Sequence, residues 1–316
     1  MRHFSLPSGI FAIVCTLLTG VTTAQAAIAT WVSGTGTDAG NCQITAPCRT
    51  FAFAHEQTNN NGAINVLSSG NFGPLTITKP ISIVADGVEA VINSGTGSIN
   101  PAGIIVQAGG GAVISLRGLT IDLRGTDNRG ISFVSGAALH VQDCVIRKAS
   151  TGIIFSPSSG INELYVADSV VANSGGVGIA VVPTGSASAK AVLDRVRVEN
   201  SAVFGIHFAG TLISGSIAAT VRDSVAAGNT STGIIAAEGG SGTTTVTVDR
   251  SASVNNGAGI AASGVGATVR IGDSTVTGNG TGLLLSSGGV IESYGTNKVN
   301  GNNTNGAPTG APIAMK

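Results

Sequence analysis

The chain has 316 residues in which 16 Lys and Arg balance 16 Asp and Glu, and only 10% of positions are charged. That leaves no polybasic footprint, so a nucleic-acid partner is not expected, since holding a phosphate backbone takes several Lys or Arg contacts. The 47 glycines and the 4% aromatic share argue against a bulky globular core and for a thin, β-branched one with many tight turns.

Residues 1–26 read as a secretory leader. Arg2 and His3 give a basic start, 10–18 (IFAIVCTLL) is a short apolar run, and Ala24-Gln25-Ala26 is a small-x-small cleavage site. Val14 stands where a lipoprotein signal would place a small residue before Cys15. No apolar run approaches the roughly 18 residues that cross a bilayer as a helix. A mature chain starting near Ala27 is expected to leave the cytoplasm, for the periplasm or the exterior.

Residues 27–62 read as a cap, with a short strand at Trp31 to Ser33 and a short helix over 50–57 (TFAFAHEQ). In the turn-rich loop between them, an oxidising compartment favours a disulfide between Cys42 and Cys48, because no third or fourth ligand stands near to make a metal site. Cys144 is left over and is expected to be a semi-buried free thiol.

From 63 to 303 the chain repeats. A Gly followed by an apolar triplet recurs at Gly103, Gly130, Gly152, Gly178, Gly205, Gly233, Gly259 and Gly282, in steps of 22 to 28 residues. A period in that range marks stacked units, each unable to bury its apolar face alone. In each triplet the first and third residues, such as Ile179 and Val181, share one face, which must be the interior. A second apolar anchor keeps pace at Leu116, Val141, Val166, Leu193, Val221, Val248 and Ile271. Two or three strands per turn, each parallel to its copies above and below, describe an all-β, single-domain right-handed parallel β-helix. Nine or ten coils at strand spacing make a rod about 45 Å long. Asn173, Asn200, Asn229, Asn256 and Asn279 recur seven or eight residues past most anchors and are expected in left-handed corners. The tail, 304–316, is expected to fold over the last coil or fray.

The aspartates at Asp143, Asp168, Asp194, Asp223, Asp249 and Asp273 resemble a calcium ladder, but the register decides otherwise. Aligning them with one another would turn Leu193 and Val248 outward and Lys190 into the core, at a cost of several kcal/mol. Aligning the anchors instead gives columns in which Asp and Arg alternate, which reads as electrostatic stitching between coils. Asp143 over Asp168 is the exception, two acids with no cation between them, where water or a Ca²⁺ ion would sit.

Three further groups are candidates for a ligand. The segment 122–129 (DLRGTDNR) concentrates Asp122, Arg124, Asp127 and Arg129. His140 beside Tyr165 would present an imidazole and a ring to a sugar, or simply decorate the surface. The outward column Ile105, Ser132, Ile154, Ala180, His207, Ile235, Ala261 and Leu284 is apolar where water is expected, which calls for cover by loops or by a partner, including a second copy.

The cap, the Gly-Ile-x-apolar repeat and the recurring Asn together resemble the right-handed β-helix family of the pectin-lyase-like superfamily, most of all its secreted proteobacterial members described by their repeat. The resemblance covers the mature chain to about Asn303 and implies a fold rather than an activity. Enzymatic members carry Trp-x-Asp-His, Arg-x-Pro-x-x-Arg, Asn-Thr-Asp, Gly-His-Gly or Arg-Ile-Lys stretches, and none occurs here. The expectation is therefore a secreted, non-catalytic scaffold that binds a polysaccharide or cell-surface glycan, or self-associates. It would need no cofactor other than that calcium. The alternative is a calcium-assisted polysaccharide lyase on an acidic glycan, with Arg147 or Arg195 as base or charge stabiliser.

Overall fold

The computed structural model describes residues 27–93, 102–123, 129–210 and 213–314. Among them the chain winds into a right-handed parallel β-helix of about ten turns, with three parallel sheets of 11, 9 and 10 strands running the length of the rod. A typical coil contributes a strand from the Gly triplet to the 9-stranded sheet, a strand to the 11-stranded sheet, and a short strand of two to four residues to the third.

The anchor register is the observed one: Leu116, Val141, Val166, Leu193, Val221, Val248 and Ile271 pair in sequence up the 11-stranded sheet. All of them are at most 1% exposed. In the 9-stranded sheet Phe133 pairs with Phe155, and their rings stack 4.4 Å apart inside the coil. The repeat glycine has a steric cause. A Cβ at Gly178 would lie 2.2 Å from Val198 Cγ1 and 2.7 Å from the Gly205 carbonyl oxygen. The triplet strand and the short strand approach too closely for any side chain there.

Two corners per coil need left-handed backbone. The corner after the long strand places Gly118, Asp143, Asp168, Arg195, Asp223, Arg250 and Asp273 at φ from 44° to 74°. The corner after the short strand does the same with Asn173, Asn200, Gly228, Asn255 and Gly278. This corrects one expectation: Asn173 and Asn200 are corner residues, but Asn229, Asn256 and Asn279 sit one position further on, buried, where Ser174 and Ser201 stand in earlier coils. There they form a ladder. Asn256 Oδ1 accepts from the Asn229 backbone N–H and from Asn229 Nδ2, each at 2.9 Å, and Asn279 Oδ1 does the same for Asn256 at 2.8 and 3.0 Å. Ser224, Ser251 and Ser274 make a parallel ladder beside the first corner.

Both ends are closed. The strand Ala27–Val32 pairs with Thr58–Val66, and its other edge is covered by the loop that the Cys42–Cys48 disulfide closes. There Trp31 donates to the Cys42 carbonyl at 2.8 Å and Cys48 donates to the Trp31 carbonyl at 2.9 Å. The helix Phe51–Gln57, capped by the Thr50 hydroxyl, lays Phe51, Ala54 and His55 over the first coil. An open sheet edge would otherwise recruit other chains. At the far end, Gly282 and Leu283 donate to the carbonyls of Thr304 and Asn305, while Thr309 and Ile313 donate to those of Ile291 and Ser293. Cys144 is 1% exposed rather than half-buried, because it occupies the serine-ladder column, and burial pushes its thiol up to about 11. The 1–26 leader lies outside the described residues.

Candidate ligand-binding surface

Side chains that point out of the 11-stranded sheet form columns, because strands in register stack like residues at strand spacing. One column holds Ser115, His140, Tyr165, Val192 and Thr220, paired coil to coil. The His140 and Tyr165 rings lie 4.7 Å apart and 21° from parallel. Their separation equals the coil rise, so the ring planes lie across the rod and solvent meets polar ring edges.

The next outward column adds Glu163 and Lys190. The Tyr165 hydroxyl donates to Glu163 Oε2 at 3.1 Å, and Lys190 Nζ lies 3.9 Å from Glu163 Oε1. That hydrogen bond to Glu163 raises the Tyr165 hydroxyl above its ordinary value. Burial lowers His140, against the pull of Glu163, so the neutral imidazole offers one donor and one acceptor. The four side chains give a donor-and-acceptor ridge on a rigid sheet.

The other candidates fall elsewhere. Asp122 lies on the 10-stranded sheet, where Arg147 Nε meets its Oδ2 at 2.8 Å and Lys148 Nζ stands at 3.8 Å. Arg129 begins a strand of the 9-stranded sheet and is exposed. Arg124 and Asp127 lie outside the described residues. Asp143 and Asp168 stand at adjacent left-handed corners of the long strands. Both oxygens of Asp168 are engaged by Arg195, at 2.6 and 2.8 Å. Among the described residues no three His, Cys, Asp or Glu side chains converge as metal ligands would.

The charge columns alternate as the anchor register requires. Asp194, only 7% exposed, accepts two hydrogen bonds of 3.0 Å from Arg222 and another from Arg195. Arg250 grips Asp223 through two bonds of 3.0 Å. These forks bind coil to coil. Arg195, forked on Asp168, and Arg147, held by Asp122, are the two arginines that a lyase reading would use.

The outward column of the 9-stranded sheet is continuous from Ile105 to Leu284. Ser132, Ala180 and Ala261 are buried between larger neighbours, while Leu284 is 40% exposed. His207 leans on Phe204, ring centroids 4.7 Å apart, and burial lowers its imidazole to about 4. Sequence reasoning passed over Glu238, which is 4% exposed. Its carboxylate accepts from Gly239 N, Gly240 N and Thr244 Oγ1 at 2.8 to 3.1 Å. A single acid in a Gly-rich segment carries no sequence signal of burial.

No family model matches the chain, and no curated protein matches it. Among solved structures, the crystal structure of pectate lyase Pel9A is similar, with a TM-score of 0.55 and 15% identity, over 84% of this chain and 74% of that one. No helix among the described residues is long and apolar enough to cross a membrane. At that identity the likeness is one of fold alone: the chain is a parallel β-helix of the architecture that pectate lyase uses.

Proposed function

We propose that the chain is a secreted, non-catalytic β-helix scaffold that binds a polysaccharide on the outer face of its 11-stranded sheet. The observation that carries this reading is the His140–Tyr165 stack with Glu163 and Lys190 beside it. It supplies a half-buried pair of stacked polar aromatics and both signs of charge within three successive coils, on an unbending platform. Pectate lyase, the fold neighbour, acts on a polysaccharide, which adds support for the ligand class. The disulfide agrees with an oxidising compartment.

The test is retention of the purified mature protein in gels containing pectate, alginate or hyaluronan, with calcium and with EDTA. Ultraviolet absorbance is followed in parallel for unsaturated products. Retention on at least one glycan, reduced severalfold by Tyr165→Ala and without product, is the expected result. Calcium-dependent product lost in Asp168→Ala would replace this reading with that of a lyase, and no retention on any glycan would remove it.

A further inference from the structure

The three long faces of the rod differ in charge. The outer faces of two sheets carry ion pairs, Glu163 with Lys190 and Arg270 with Glu292 on the 11-stranded sheet, and Asp122 with Arg147 on the 10-stranded one. The 9-stranded sheet is bare by comparison. From the strand Arg129–Ser135 to the strand Thr281–Ser286, three outward columns begin at Arg129, Ser132 and Val134 and climb in register. Among the described residues Arg129 is the one Lys, Arg, Asp or Glu in them, at the end of its column. An exposed sheet face is ordinarily polar, and an apolar one of this length marks a contact surface. The described ends of the chain do not cover it, because they are spent closing the two ends of the rod.

The middle column also has relief. Ser132, Ala180 and Ala261 are 2–4% exposed, low points between the taller Ile154, Ile235 and Leu284. His207 stands at the centre of that run, with the Phe204 ring leaning on it at 4.7 Å. Packed sheets gain from interdigitation, tall residues of one face entering low points of the other.

The face is also large enough. Strands about 4.8 Å apart, each contributing about five residues at about 3.3 Å, give on the order of 600 Å² over this run. Two such faces would bury about 1,200 Å², within the range of specific interfaces.

We propose that this face docks a second copy of the chain, in a two-fold dimer whose rods run antiparallel about an axis at His207. In that register Ser132 of one copy meets Leu284 of the other, Ile154 meets Ala261, and Ala180 meets Ile235, a small residue against a large one each time. Parallel rods would set each residue against itself, with Ile154 on Ile154 and Ile235 on Ile235. The antiparallel axis gathers both Phe204 rings and both His207 rings at the centre of the interface, where aromatic anchors contribute most. Arg129 falls opposite Thr281, so no like charges meet. The contact is isologous, so it closes at two copies. It leaves the outer face of the 11-stranded sheet open in both copies and does not rest on glycan binding.

The experiment measures the mass of the chain from Ala27 by sedimentation equilibrium across a concentration series. A reversible dimer is expected. Ile154→Lys and Ala261→Glu, each alone, should weaken it at least tenfold, because each buries an unpaired charge. An equimolar mixture of the two should recover a dimer, since antiparallel packing sets the new ammonium opposite the new carboxylate. A second pair, Ile235→Lys with Ala180→Glu, repeats the test at the neighbouring contact should either first variant fail to fold by circular dichroism. Ile161→Lys, at a 66% exposed apolar residue of the 11-stranded sheet, should leave the dimer unchanged. A monomer at every concentration overturns the proposal, as does a dimer that ignores all four face substitutions. Folded single variants that stay monomeric when mixed overturn the antiparallel pairing.

Discussion

Arg195 grips Asp168 of the neighbouring coil through two parallel hydrogen bonds, Nε to Oδ1 at 2.6 Å and Nη2 to Oδ2 at 2.8 Å. Both residues hold left-handed backbone, at φ 52° and 50°. The corner accepts Asp readily and Arg at a small cost; the fork between them orients both side chains. The pair is half in solvent, so Asp168→Asn should lower the melting temperature by no more than roughly a degree or two, and by less in high salt. The guanidinium holds the Asp168 carboxyl below its ordinary value. Its stabilisation is therefore present above the unfolded pKa of about 4 and lost as pH falls through the folded value. Melting curves of wild type and Asp168→Asn should converge in acid. Curves that stay parallel there would show that the fork contributes nothing.

The recurring asparagines separate into two costs. Asn256→Ala removes the acceptor of a buried backbone N–H and the donor to the Ala226 carbonyl, so it should destabilise by about 2–4 kcal/mol in denaturant unfolding. Asn173 is exposed and only has to hold a left-handed φ of 56°. Asn173→Gly should be neutral or slightly stabilising, and Asn173→Ala should cost about 1 kcal/mol. Equal losses at Asn173→Ala and Asn256→Ala would contradict the ladder.

Those two asparagines also show where sequence reasoning stops. The period, the inward residues and the anchor register follow from alternation alone, because a one-residue slip would put Lys190 in the core. Asp143, Arg195 and Asp273 fall in one column for the same reason. What the period does not resolve is a shift of one position at a corner. Asn200 turns the chain and Asn229 lies inside it, because Gly228 has taken the corner. The neighbourhood of His140 and Tyr165 was legible, since both stand one residue before an anchor. The buried Asn162 Oδ1, without a partner among the described residues while Nδ2 donates to the Gly136 carbonyl, was not, because it depends on where that carbonyl lies.

A repeat glycine and a loop glycine divide in the same way. Gly178→Ala drives a methyl into Val198 and the next coil's backbone, and should cost about 1–3 kcal/mol. Gly109 has open space around its Cβ and no left-handed φ, so Gly109→Ala should be neutral or stabilise by up to about 1 kcal/mol. Both are read from urea midpoints at equal slope. A tolerated Gly178→Ala would mean that the motif reflects turn preference rather than close packing.

His55 gives the fold a pH dependence at its N-terminal end. It is 7% exposed, packed between the capping helix and the first coil, and its Nε2 accepts from the Thr78 backbone N–H at 3.3 Å. Burial lowers its pKa from 6.5 to about 4, and Lys79 adds to the shift. The proton is therefore bound more readily in the unfolded chain. Stability from the neutral imidazole is complete above about pH 6.5 and declines as pH falls towards 4. At pH 5 the loss is on the order of 2 kcal/mol. Protonation also removes the acceptor for Thr78, so opening should begin at the cap rather than in the coils. His207, lowered to about 4 by burial alone, adds to the same slope. Denaturant midpoints at pH 7.5 and pH 5 are therefore expected to differ in wild type, less in His55→Leu, and least in His55→Leu with His207→Leu. Hydrogen exchange at pH 5 should quicken first in Phe51–Gln57 and its covering strand. An identical pH slope in wild type and the double variant would place the acid sensitivity in the carboxylates instead.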